Sequence, residues 1–509
     1  MKTNKIVGAA EAIAHIGDGA FLAIEGSGGG VSEPSMLIRA VRDRYLAEQH
    51  PKGITIFHTS GLGDKAGGGT DMLAEEGLLK RVIAGHWAMA PKIAELAQAE
   101  KLEAYNLPQG VMSQMYSAIA AKRPGVITKI GLHTYVDPRI EGGRMNASAK
   151  EQLVEVVTLR GEEWLLYPTQ KIDVCFVRGT TADLDGNITT EQEASLLEGI
   201  SIAQATKNSG GIVIAQVKYL AQRGTLNAQS VRIPGILVDY VVVDPEQKQN
   251  ALFAYEPAMS GAVKIPFQNI PPEPLDARKL VARRAVKEVR AGAVLNLGVG
   301  LPSTVASVAT EQGLIGDMNF TLEQGIVGGM PAGGVIFGAC YNPTAMIDTT
   351  CQFNFFDGGG LDVTFLGLAE ADKFGNVNSS KTGKLLSGCG GFINISQNAK
   401  KVVFCTTFTA KGFKADIGGG KLTILQDGQI MKFVDTVEQI TFSSKNSAGT
   451  GQIVLFVTER AVFELENEKL ILVEIAPGVD LEKDVLGRMA FRPEISPDLK
   501  LMDADIFMQ

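Results

Sequence analysis

The sequence has 509 residues, 45% of them apolar and 20% charged, with a formal net charge of −8. That is the balance of a folded protein of two or more domains, and the absence of any Lys/Arg block argues against a nucleic-acid partner. No apolar run approaches the ~20 residues of a membrane span, which argues against a membrane protein. Free anionic ligands stay open, because glycine-rich backbone binds them without side-chain charge.

The first residues, "MKTNKIVGAAEAIAHIGDG", do not read as a signal peptide, since Glu11 and His15 interrupt the only apolar stretch; a cytoplasmic location is expected. Next come strand-like runs, "GAFLAIEG" (19–26) and "GITIFHTSG" (53–61), with a helical pattern, "SMLIRAVRDRYLAEQ" (35–49), between them. "EEGLLKRVIAG" (75–85) also has helical spacing. "KIDVCFVRG" (171–179), "LLEGISIAQATKN" (196–208), "GGIVIAQV" (210–217) and "ILVDYVVVD" (236–244) read as strand, helix, strand and strand. The alternation predicts an α/β protein with mainly parallel sheet.

Pro271, Pro272 and Pro274 mark residues 269–280 as a linker. It separates an expected N-terminal domain, 1–268, from a C-terminal one, 281–509. An internal repeat supports the division. "DVCFVRGTTADLDGNI" (173–188) and "DVTFLGLAEADKFGNV" (362–377) agree at seven of sixteen positions, and each ends in a D-x-x-G-N turn. "GAFLAIEGSGGG" pairs with "GAVLNLGVGLP" (292–302), each a strand running into glycines. "FHTSGLG" (57–63) pairs with "TLEQGIVG" (321–328), which sets Thr59 opposite Glu323. The chain therefore reads as a tandem duplication of one open α/β unit.

In "MNFTLEQGIVGGMPAGGVIFG" (318–338) a buried-strand pattern ends on Glu323 among many glycines. Alone, this is an ordinary turn. Two further glycine loops, "NLGVGLP" (296–302) and "SGCGGF" (387–392), offer backbone N–H groups bare of side chains. A carboxylate with no neighbouring His is a poor base for hydrolysis, but it can be a nucleophile toward an activated acyl group. All five histidines lie in the first 133 residues, so no local His serves the second half. The five cysteines have neither disulfide nor metal-ligand spacing. "GLGDKA" (61–66) only imitates a dinucleotide fingerprint, because "GGGT" follows it instead of a helix.

Taken together, "AGHW", "YNLPQG", "VDPR", "NSGGIV", "LEQGIVGGMPAGG", "NLGVGLP", "SGCGGFINI", "ADKFGNV" and "EIAPGVDL" resemble the class I CoA-transferases, within them the propionate/acetate branch. The resemblance runs from about Glu11 to the C-terminus. It implies two tandem, homologous α/β domains of the CoA-transferase / NagB-RpiA-like fold, with the active site between them. It implies that Glu323 is the nucleophile, passing through a mixed anhydride to a glutamyl-CoA thioester. The amides of Val299 and Gly391 would be oxyanion donors, and Gly298, Gly300, Gly388 and Gly390 would lie with them against CoA, where a Cβ would intrude. Gln109 would line the carboxylate pocket, and Asn376 would orient Glu323. No metal and no cofactor beyond coenzyme A as substrate are expected; the partners are acyl-CoA and short-chain carboxylic acids, in a homodimer or homotetramer. Two other readings stay open, an acyl-CoA hydrolase on the same fold and a non-catalytic acyl-CoA-binding sensor. The identity of the acid is not legible, since a methylene is worth only ~1–3 kcal/mol to an apolar pocket.

Overall fold

The computed structural model describes residues 5–266 and 273–508. The described chain forms two compact units. The first comprises residues 1–265, 322–354 and 384–394; the second comprises 266–321, 355–383 and 395–509. The boundary expected at 268 and the start of the expected linker lie outside the described residues. The end of that linker is helical: Asp276 caps the helix Ala277–Val286, its Oδ1 accepting from the Lys279 amide at 3.0 Å.

The first unit is built on seven strands: β1 (Phe21–Ile24), β2 (Ile54–His58), β3 (Leu79–Ala84), β4 (Glu103–Asn106), β5 (Val174–Arg178), β6 (Ile212–Val217) and β7 (Tyr240–Val243). They pair in the order β7-β6-β5-β1-β2-β3-β4, every pair parallel. A parallel sheet is covered on both faces, which is why its strands are apolar without alternation; Leu22 stands between Ile56 and Val174 in register, and all three are buried. Helices α1 (Ser35–Glu48), α2 (Gln109–Ala120) and α3 (Gly199–Asn208) follow strands and return the chain. Strand order reverses between β1 and β5, the place where open α/β sheets take ligands at their carboxyl ends.

One sequence reading is corrected here. Residues 75–85 are not helical; Leu79–Ala84 is β3, with Val82 paired to Ile56 on one side and Ala104 on the other. The run is too short for periodicity to separate buried strand from helix, and β-branched Val82 and Ile83 tip it to sheet.

The second unit carries β8 (Val294–Leu297), β9 (Asn319–Leu322), β10 (Val363–Gly367), β11 (Lys401–Cys405), β12 (Ile453–Val457), β13 (Ala461–Glu466), β14 (Lys469–Ile475) and β15 (Glu494–Leu501). The order is β9-β8-β10-β11-β12-β13-β14-β15, parallel as far as β12 and antiparallel on either side of β13. Its core joins Leu280, Val281 and Ala285 to Leu295, Phe320, Phe365, Val403 and Val457.

The D-x-x-G-N turns are the same object built twice. Asp183 Oδ1 accepts from the amides of Asp185 (2.9 Å) and Asn187 (3.0 Å), and Asp372 Oδ1 accepts from those of Phe374 and Asn376, both at 3.0 Å. The Asn side chain closes each turn onto the second Asp oxygen, at 3.0 Å in one and 3.1 Å in the other.

Candidate active site

Glu323 is the residue after β9. The turn beyond it is closed by the Gly325 amide donating to Leu322 O at 3.0 Å, with Gly325 at φ 87°. A Cβ on Gly325 would stand 2.0 Å from Ile347 O. This glycine is therefore required by the close approach of its own backbone, not by a ligand. Glu323 is half-buried, and burial pushes its carboxyl up to about 7; a side-chain hydrogen bond from Gln324 acts in the opposite sense.

The glycine loop 387–391 belongs to the same unit as Glu323, and other segments of that unit fix it. Trp87 N donates to Ser387 O (2.7 Å), Gly390 N to Gly85 O (2.7 Å) and Gln109 N to Gly390 O (2.9 Å). Fully buried Asn106 accepts from Cys389 N at 2.9 Å and from the Tyr135 hydroxyl through Oδ1, while its Nδ2 donates to the carbonyls of Ala84 and Gly85, each at 2.6 Å. Gly388 is glycine because a Cβ there would meet the Asn106 amide at 2.5 Å. Cys389 N and Gly390 N are thus occupied, whereas Gly391 N donates to no group among the described residues.

Gln109, which opens α2, is buried, and its Nε2 has no partner among the described residues. Its Oε1 lies 3.8 Å from where a Gly390 Cβ would be, which sets the side chain beside the glycine loop. Cys389 is no rival nucleophile: burial pushes its thiol up to about 12, with the charge of Glu323 adding to the shift. Burial also lowers His58 and His86 to about 4, so both are neutral at pH 7.

Val299, Gly298, Gly300 and Asn376 fall in the second unit. Gly298 N donates to Phe365 O at 2.7 Å, while Val299, 60% exposed in the turn after β8, has an amide that donates to nothing among the described residues. The Asn376 side chain is spent in its own turn: Nδ2 donates to Asp372, and Oδ1 accepts from the Ser444 amide at 3.1 Å. Nothing in these contacts distinguishes it from Asn187, whose Oδ1 accepts from Gly235 N at 2.8 Å.

Three residues escaped the sequence reading. Asn106 pins the glycine loop. Gln324 donates to Glu323. Buried Glu198 accepts from the Thr59 hydroxyl at 2.6 Å, and burial pushes it up to about 8. Thr59 is the counterpart of Glu323 in the repeat, so in the first half a carboxyl from another segment meets the threonine. Asn106 stood in "YNLPQG" and Gln324 in "LEQGIVGGMPAGG", but neither motif gave its residue a role.

Among the described residues no cluster of His, Cys, Asp and Glu could hold a metal ion, and no helix is long and apolar enough to cross a membrane. Residues 6–244 match the family profile described as Coenzyme A transferase. The chain is 46% identical over 506 residues to acetate CoA-transferase YdiF of Escherichia coli K12, covering 99% of this chain and 95% of that one. It is 47% identical over 513 residues to caffeate CoA-transferase of Acetobacterium woodii, covering 99% and 98%. The crystal structure of the acyl-CoA transferase YdiF of E. coli O157:H7, as a thioester complex with CoA, superposes with a TM-score of 0.93 at 45% identity, over 99% of this chain and 96% of that one. At that identity over nearly its whole length, with a partly desolvated carboxylate in the unit that holds the glycine loop, the chain belongs to the coenzyme A transferase family and is a CoA-transferase.

Proposed function

We propose that the enzyme moves CoA between a short-chain acyl-CoA (acetyl-, propionyl- or butyryl-CoA) and a short-chain carboxylic acid by ping-pong chemistry, with Glu323 as nucleophile. The ionised Glu323 carboxylate attacks the thioester carbonyl, and the C–S bond breaks to leave a mixed anhydride and CoA thiolate. The thiolate then attacks the glutamyl carbonyl and expels the acyl group as its free acid, leaving a glutamyl-CoA thioester. A second acid runs the two steps backward. One thioester replaces another, so the exchange balances without ATP. Binding energy along the CoA tail holds the thiolate beside the anhydride.

The observation that carries this reading is an unsatisfied donor set in the same unit as a desolvated carboxylate. Among the described residues, Gly391 N and Gln109 Nε2 are donors without acceptors, both in the unit that holds Glu323. A buried donor left unpaired costs stability, which makes sense where an oxyanion and a substrate carboxylate supply the acceptors. In the second unit the Val299 amide likewise donates to no group among the described residues, which leaves it open to a ligand acceptor. The halves 1–268 and 281–509 are products of tandem duplication, with the nucleophile kept in the second. YdiF is named for acetate and the A. woodii relative for caffeate; among acids, acetate is the acceptor we assign first. The enzyme works as a homodimer or homotetramer in the cytoplasm.

Incubation with acetyl-CoA and no acceptor acid, followed by tritiated borohydride, should reduce the glutamyl thioester to an alcohol, release CoA and leave tritium on the peptide carrying Glu323. No tritium there, with an acyl group on Cys389 or Cys340 instead, overturns the mechanism. Continuous release of CoA with no acid present identifies a hydrolase instead.

A further inference from the structure

We propose that Gln324 is the positioning residue of the nucleophile: its side-chain amide, seated between Ser27 in the loop after β1 and the Glu323 carboxylate, orients that carboxylate for attack. The inference rests on the assignment of Glu323 as nucleophile. Gln324 follows Glu323 directly, yet its side chain turns inward and is only 2% exposed. Nε2 lies 3.4 Å from Ser27 Oγ and 3.5 Å from Glu323 Oε1. Both bonds are long, as hydrogen bonds to a catalytic group commonly are before substrate tightens them.

The seat itself is well defined. Ser27 Oγ is 3.0 Å from Ser60 Oγ, and the Ser27 amide donates to Val31 O at 2.8 Å. The Gln324 carbonyl accepts from Ser195 Oγ at 2.5 Å. Two segments thus hold Gln324, one at its amide and one at its backbone. β1 borders the point where strand order reverses, so the loop that steadies the nucleophile starts where such sheets take their ligands.

Gln324 Oε1 is buried without a partner among the described residues. Leu or Met would fill the same space with no unpaired carbonyl, so packing does not explain the amide. Its donor end does, since no ion pair reaches Glu323 among the described residues and burial alone would disfavour the charged carboxylate that attack requires. With the amide reversed, Oε1 would face the carboxylate and repel it.

The titratable neighbours do not compete in the relevant range. On the glycine loop, the Cys389 thiol is pushed up to about 12; His86, whose ring flanks Gly390, and His58, whose Nδ1 is 2.5 Å from Ser60 O, are held neutral at about 4. On the 348–350 side, Asp348 is raised by burial and Glu198 reaches about 8, so Glu198 is mostly neutral at pH 7.

The test is the pH dependence of kcat/KM for acetyl-CoA, which reports ionisation of the free enzyme, in wild type, Gln324→Met and Ser27→Ala. Removing the donor should move the acid limb of Gln324→Met upward by about one pH unit, with an approximately five-fold loss at pH 7 that narrows at higher pH. Ser27→Ala, which leaves the amide less anchored, should shift the limb the same way by less, and it decides the matter if Gln324→Met does not fold. A fall in activity with the limb unmoved in both variants reports packing alone and overturns the proposal. Reduction of the wild-type intermediate with tritiated borohydride separates the two levels. Tritium away from Glu323 overturns both readings, whereas tritium on Glu323 with an unmoved limb overturns only this one.

Discussion

Replacing Glu323 by Gln changes stability in a pH-dependent way that needs no substrate. Burial raises the carboxyl from 4.5 to about 7, so the folded protein binds this proton more tightly than the unfolded chain does. The resulting stability is full below pH 4.5 and is lost as pH rises through 7. The distance from 4.5 to about 7 corresponds to roughly 3 kcal/mol, and the partial exposure of the side chain screens this to about 2–3 kcal/mol. Gln cannot ionise. Glu323→Gln should therefore be more stable than wild type by about that amount at pH 8, and by less than about 1 kcal/mol at pH 5. Scanning calorimetry at the two pH values should show the variant's Tm advantage widening by a few °C at pH 8. An advantage equal at both values, or wider at pH 5, would refute the claim that the nucleophile is held in a desolvated place.

Gly391→Val should lose roughly 10²–10³ in kcat, the usual cost of one oxyanion donor, with little change in Tm; Val299→Ala keeps its amide and should stay within a few-fold of wild type in the same assay. Asn106→Ala frees the carbonyls of Ala84 and Gly85 and the amide of Cys389, and should lower both Tm and the rate of glutamyl-CoA formation in single turnover. Thr59→Ala should retain kcat within a few-fold, because Thr59 meets Glu198 rather than substrate. Glu198→Gln should match wild type in Tm below about pH 4.5 and lead it by a margin that grows up to about pH 8 and then levels off, because the unfolded chain ionises from 4.5 while the folded carboxyl holds its proton to about 8.

What could be read before folding was local. The duplicated D-x-x-G-N turn closes within five residues, so its sequence specifies its hydrogen bonds, and the same bonds recur in both halves. Glu323 stood out because strand pattern and glycine turn meet there. Leu79–Ala84 was misread because six residues do not carry enough periodicity to choose between strand and helix. Asn376 looked available, but its amide is used within its own turn and by Ser444. Gln324, Asn106 and Glu198 take their meaning from residues far away in the chain: Ser27, Cys389 and Thr59. No spacing rule links such positions, and only the folded arrangement turns an ordinary amide or carboxyl into part of a site.

The interleaving of the two units bears on how this protein can be cut. Residues 322–354 and 384–394 are encoded in the second half but counted in the first unit. A nick between Pro266 and Glu273 would leave a C-terminal fragment that contributes to both units. The seam between the halves of the gene is thus not the seam between the halves of the molecule. Neither fragment holds a complete first unit, so each should need the other to complete it, as two subunits would.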